Sequence, residues 1–417
     1  MQRARVCNML VQIALSNSSR SSRAVHFAVL ALSAYHRGDN PIYVETKKRS
    51  ALRELYTDQE PSMCEAVTHI AANLILCILE MQQTSERNSR WVGYVCSTKH
   101  VIDAFNKGLG CPTPGSDASI ILSWVYYFDI MFRFSLRHWR TENIKAMAEE
   151  LGYATNGSPI CELQYVMARA SFARAVPNIG SHAHPVLRLL AEVSETALYS
   201  ADPRYLTSKY QQELVDLRFD LENVSTSVSA SSAYDAINIC QALTGLGSDG
   251  GENLTPPTSA FAQDSSERVM DSEDALTSRI SNSAIESLEC TENVLEVTRL
   301  AALTYLERVS RNFSCQSNMI DSWTRKALGI LDQMDSCLCP FALLVIGCEA
   351  NCDDDRIIIL DLFARMEKRP HLKSLLETKA LIQTAWNQQD LAEDGELEYI
   401  HKLNVVLSSR FNIPSLI

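Results

Sequence analysis

Three adjacent aspartates, Asp353, Asp354 and Asp355, are the strongest invitation to chemistry in this chain. Carboxylate oxygens are the natural ligands of magnesium, and a helix that holds a diphosphate through magnesium presents them on one face. That requires acids one turn apart, as in Asp-Asp-x-x-Asp. Here Arg356, Ile357 and Ile358 follow, so the three carboxylates point in three directions. Placed just before an apolar helix, they suit its N-terminus, where negative charge is stabilised. Cys337, Cys339, Cys348 and Cys352 are a second invitation. Structural zinc sites pair thiolates with two to four residues between them around a tight knuckle. Cys337-x-Cys339 is too close for that, while Cys348 and Cys352 have the spacing of one helix face in a core. His182 and His184 are neighbours without further ligands at workable spacing, and exposed loop histidines are the expectation.

Three common phosphate, metal and nucleophile signatures are missing. The chain has no Gly-x-x-x-x-Gly-Lys, His-Glu-x-x-His or Gly-x-Ser-x-Gly. Strand signals are weak, so an α/β hydrolase or a dinucleotide-binding fold has no scaffold. The residues therefore assign no catalytic, cofactor-binding or metal-binding position.

The elements that would position such groups read as helices. His26–His36 is rich in helix formers and is closed by Gly38 and Pro41. Ser62-x-x-Glu65 has the form of a capping box before the apolar run Ala66–Met81. That run is apolar on several faces, which predicts a helix buried among others. Further helices are expected over Trp91–Leu109, Ser119–Arg140, Pro185–Tyr199, Tyr205–Asn223 and Ser231–Leu243. The series resumes with Leu295–Val309, Met319–Met334, Pro340–Ile346, Arg356–Met366, Lys373–Leu391 and Glu396–Leu407. Ser119–Arg140 is the most aromatic segment, and its rings read as helix packing ahead of a ligand pocket. From Gly245 to Ser283, glycine, serine, proline and acids crowd together, and the expectation is a disordered or regulatory insert. The fold class is all-α: a large irregular helical array in which residues 1–244 and 284–417 are two parts of one domain around insert 245–283.

Charge and cysteine usage bound the partners. Lysine and arginine number 38 against 50 aspartates and glutamates, a formal charge of -12, which opposes DNA wrapping by the chain as a whole. Thirteen scattered cysteines, an odd number, read as reduced core residues. The N-terminus lacks the apolar core of a secretory signal, and Ala66–Met81 is too short and too polar to cross a bilayer. A soluble chain without a membrane partner is expected.

Several segments, in order, resemble the fungal-specific transcription factor domain, the helical region downstream of the binuclear zinc cluster in fungal regulators. They are His26–His36, Ala72–Glu80 with Trp91, Val101-Ile102, Ser123–Asp129, Leu300–Leu306, Pro340–Ala350, Arg356–Leu360 and Trp386–Asp390. Cys339 stands where the family commonly has tryptophan. The six-cysteine zinc cluster is missing, since Cys7 stands alone near the N-terminus. The resemblance implies a nuclear transcription regulator of a biosynthetic or catabolic gene cluster, acting through self-association or coregulators. It implies DNA contact only through a module absent from this chain or through a partner, names no cofactor and leaves a small effector open. Two other classes remain: a magnesium-dependent helical enzyme of the terpene-cyclase type, and a helical scaffold outside transcription.

Overall fold

The computed structural model describes residues 2–16, 18–56, 61–83, 90–105, 113, 115–139, 183–198, 202–227, 291–312, 317–367, 373–391, 399–410 and 413–416. Among these residues every regular element is a helix, as the sequence predicts. The glycine- and serine-rich stretch 245–283 and the helix expected over Ser231–Leu243 lie outside them.

The first three helices form two consecutive hairpins. They are α1 (Gln2–Leu15), α2 (Arg20–His36) and α3 (Pro41–Leu55), with α2 packed between the other two. Gly38 takes φ +70°, the left-handed turn that stops α2. Two residues later the Asn40 side chain accepts a hydrogen bond from the Ile42 amide, and Pro41 opens α3. The sequence signals at Gly38 and Pro41 thus end one helix and begin another. The sequence does not announce the second helix, because its buried stripe is narrow. It consists of Val44, Lys48, Ala51 and Leu55, with a lysine among the apolar residues.

Ser62 and Glu65 do form a cap: the Glu65 carboxylate accepts from the Ser62 amide at 3.3 Å and from its hydroxyl at 2.8 Å. A single 3-10 turn there, Met63–Glu65, leads into α4 (Ala66–Gln82). Apart from three or so positions near its ends, α4 is buried on all sides, against α2, α5 (Arg90–Phe105) and α6 (Asp117–His138).

Every residue of α6 from Ser119 to Leu136 is buried. By length and composition it could cross a membrane, with a mean hydropathy of 1.2 over its most apolar window, yet that window is wholly inside the protein. Its periodicity resolves into separate contact faces. Trp91 of α5 meets Phe132 edge to face at 5.6 Å. Arg133 and Arg137 face α7 (Pro185–Glu195). Phe134 and His138 face Tyr305 on α9 (residues 291–305). The aromatic segment is thus a packing axis, in line with the sequence reading.

The remaining helices close around this axis. They are α8 (Ser208–Asn223), α10 (Asn318–Gln333), α11 (Pro340–Cys348), α12 (Asp353–Met366), α13 (Lys373–Leu391) and α14 (Tyr399–Ser408). Helix α13 reaches back to α4, and α14 to α6. Among the described residues, the buried apolar side chains other than Ile320 make one continuous cluster from Val6 to Leu416. Helix α9 runs into a π turn, Leu306–Ser310, whose widened backbone is closed by the Arg311 amide on the Leu306 carbonyl.

Lys48 shows how polar groups enter this core. Its ammonium is buried and lies 2.8 Å from Glu80 on α4 and 2.8 Å from Glu45. Removing one member of a buried pair strands the other charge. Lys48→Ala is expected to destabilise the chain by about 3 kcal/mol in urea unfolding, and Lys48→Met with Glu80→Met to recover most of that loss.

Candidate functional site

Three of the segments that suggest a family, Pro340–Ala350, Arg356–Leu360 and Trp386–Asp390, meet at one place, the buried C-terminus of α11. All nine residues of this helix are buried. A helix end leaves carbonyls without intrahelical partners, and burial denies them water. Side chains from two other helices supply the donors. Trp386 Nε1 on α13 donates to the Gly347 carbonyl at 2.8 Å, and Gln389 Nε2 to the Cys348 carbonyl at 2.8 Å. Arg356 Nε on α12 donates to the Ala350 carbonyl at 3.3 Å.

The same arginine is itself fixed. Its terminal nitrogens lie 2.9 and 2.8 Å from the two Asp390 oxygens, and its guanidinium sits 5.3 Å above the Trp386 ring. This pairing raises the Arg356 pKa and lowers that of Asp390. Gly347 is small for a reason. A β-carbon there would stand 2.7 Å from Ile382 Cδ1 of α13, well inside contact distance.

Glu349, the residue after the helix, is held from the other side. Arg308 in the π turn donates to it from Nε at 3.1 Å to each oxygen and from Nη2 at 2.7 Å. Both side chains are buried. Burial works against the Arg308 charge, but the Glu349 hydrogen bonds outweigh it and keep the pKa above its ordinary value. The Tyr399 ring of α14 covers the guanidinium at 5.6 Å. Neighbouring residues of the π turn engage other helices: Glu307 meets Arg218 of α8 at 3.5 Å, and Ser310 shares a 2.9 Å hydrogen bond with Thr196.

Two further polar groups brace α6. Asp129 accepts from Arg133 Nε through both oxygens at 3.0 and 2.9 Å, and Arg133 continues to Glu195 of α7 at 3.3 Å. His138 is fully buried between Asn404 and Tyr305, each 2.8 Å from one ring nitrogen. Burial pushes its pKa down to about 4, more than the Asn404 contact raises it. The ring is therefore neutral at pH 7. Because Asn404 presents an oxygen, Nδ1 carries the proton and Nε2 accepts from the Tyr305 hydroxyl.

The residues first singled out for chemistry are scattered. Asp353, Asp354 and Asp355 occupy the first turn of α12, the first two exposed, as helix-terminal charges should. Cys337, Cys339 and Cys348 are buried, and burial raises the Cys339 and Cys348 pKa values, which keeps these thiols protonated. Cys348 and Cys352 do not share a helix face. Cys348 ends α11, Cys352 precedes α12, and a turn through Glu349–Asn351 separates them. Among the described residues, no three histidine, cysteine, aspartate or glutamate side chains come together as a metal site.

The expectation of exposed loop histidines needs correction. His184 is buried and caps α7, accepting from the Val186 amide at 3.3 Å, and His69 and His138 are buried as well. His182 lies outside the described residues. So does Gly245-Leu246-Gly247-Ser248-Asp249-Gly250. Its glycines have the spacing of a dinucleotide loop but stand in a polar stretch without a strand signal before it.

The sequence profile of the fungal specific transcription factor domain matches residues 2–404. The chain belongs to this family. It is also 26% identical over 413 residues to transcription factor iacI of Pestalotiopsis fici, covering 96% of this chain and 86% of that protein. No solved structure matches it. The chain is a transcription regulator of the fungal type, and three of the family-like segments meet where α11 is secured.

Protonation of His138 supplies a test of the buried seam. Its pKa is below the ordinary 6.5 in the folded chain, so unfolding takes up a proton between those values and stability falls as pH drops from about 6.5 to about 4. The full effect is about 3 kcal/mol. In urea unfolding series, His138→Gln is expected to be less stable than the parent at pH 7, with the gap narrowing as pH approaches 4.

Proposed function

We propose that this chain acts in the nucleus as the helical regulatory part of a fungal transcription regulator, working through protein contacts and catalysing no reaction. The observation that carries the reading is where the polar residues of three family-like segments are spent. Trp386, Gln389, Arg356 and Glu349 are all committed to holding α11 and its neighbours. Groups so engaged define a rigid shape, which suits a surface read by partners. The net charge of -12 favours protein contacts over DNA wrapping. DNA contact, on this reading, comes through a partner or through a module outside this chain.

Residues 1–244 and 284–417 are proposed to act as one regulatory unit, with coregulators or a second copy as partners. A biosynthetic or catabolic gene cluster is the proposed target. The terpene-cyclase alternative draws no support from the aspartate triplet, since Asp353 and Asp354 face solvent at a helix start. Deletion of the gene, read by transcript sequencing beside imaging of a tagged protein, tests the proposal. The expected result is nuclear signal and altered transcripts of a restricted gene set. Cytoplasmic signal with unchanged transcripts would favour a scaffold, and magnesium-dependent turnover of a prenyl diphosphate would overturn the reading outright.

A further inference from the structure

Charge is unevenly spread along this acidic chain. Residues 1–56 hold nine lysines and arginines against three aspartates and glutamates, and the rest of the chain holds 29 against 47. The basic part is the α1–α3 unit. Helices α2 and α3 run antiparallel, because Arg23 meets Glu54 while Lys47 lies over Phe27.

Their outer surface combines cations with exposed apolar groups. Ile42, Thr46, Arg49 and Arg53 form one stripe on α3, spaced i, i+4, i+7 and i+11. Ile42 is 73% exposed and Arg49 is 72% exposed. Beside the stripe the Lys47 ammonium stands 5.7 Å from the Phe27 ring and 5.1 Å from the Tyr43 ring, which fixes it on the surface.

The carboxylates facing this surface are already engaged. Glu45 pairs with Lys48 and Arg49, and Glu54 pairs with Arg23. Arg20, Lys47 and Arg53 have no carboxylate partner among the described residues. Tyrosine and arginine are the residues that dominate protein interfaces, and a merely solvated charged face has no need of the exposed Ile42 beside them.

We propose that the α2–α3 face is a docking site for an acidic, apolar-bearing helical segment of a partner protein. The charge of the patch selects a negative occupant, and Ile42 and Tyr43 select one that brings apolar side chains. A phosphate backbone would satisfy the cations but leave those two residues in water. This deepens, and rests on, the reading that the chain works through protein contacts.

Fluorescence anisotropy with the full chain tests it. The probes are a short labelled helical peptide of glutamates with leucines at i and i+4, its lysine counterpart, a glutamate–serine peptide of equal charge, and a DNA duplex. The glutamate–leucine peptide is expected to bind at least about tenfold more tightly than the other three. Arg49→Glu with Arg53→Glu, and separately Ile42→Ser, should each weaken it by about tenfold or more. Circular dichroism should show the helical content of these surface variants unchanged. Failure of the glutamate–leucine peptide to bind, equal binding by the variants, or tighter binding of the duplex would overturn the proposal. Unchanged transcripts on gene deletion would sink the regulatory reading while leaving a peptide-binding face in place, so the two failures are distinguishable.

Discussion

A wholly buried helix with a buried C-terminus imposes the constraint on which the rest of this structure depends. Helix α11 is apolar all round, so it gains by removal from water on every side. Its terminal carbonyls lose water with it, and each unsatisfied one costs on the order of 1–3 kcal/mol. Donors must therefore come from elsewhere in the chain. The indole of Trp386, the amide of Gln389 and the guanidinium of Arg356 fill that role. Arg308 completes it by holding Glu349. These four donors come from α13, α12 and the π turn, so satisfying one helix end orders three other elements.

The π turn has a similar logic. An extra residue in the helical turn changes the directions in which successive side chains leave the backbone. Glu307 reaches Arg218, Arg308 reaches Glu349, and Ser310 reaches Thr196. Helices α8, α11 and the end of α7 are thereby referred to one short segment. On the other side, α6 is referred to α7 through Arg133 and to α9 and α14 through His138. The polar groups of the core serve as cross-links between helices that apolar contact alone would orient loosely.

Much of this was legible in the sequence, for identifiable reasons. Strong periodicity and clear stop signals exposed α2, α4, α6 and the helices after residue 291. Ser62-x-x-Glu65 announced a real cap because both partners are local. Helix α3 was missed because its inward stripe contains Lys48, whose partner Glu80 is 32 residues away. The same limit hid the core histidines. Nothing local marks His138 as buried, since its partners Tyr305 and Asn404 are remote in sequence. Arg308 was equally silent, whereas Glu349 and Trp386 appeared within the family-like segments without any hint that they serve a common helix end. The i, i+4 spacing of Cys348 and Cys352 suggests one helix, whereas Glu349–Asn351 turns the chain between two.

The most direct test of this account is a double-mutant cycle on Arg308 and Glu349, read by urea unfolding. If the pair is a structural cross-link, Arg308→Met alone should cost about 3–5 kcal/mol by stranding a buried carboxylate, and Arg308→Met with Glu349→Leu should recover most of that loss. A single variant as stable as the parent, or a double variant whose loss is the sum of the two singles, would contradict it.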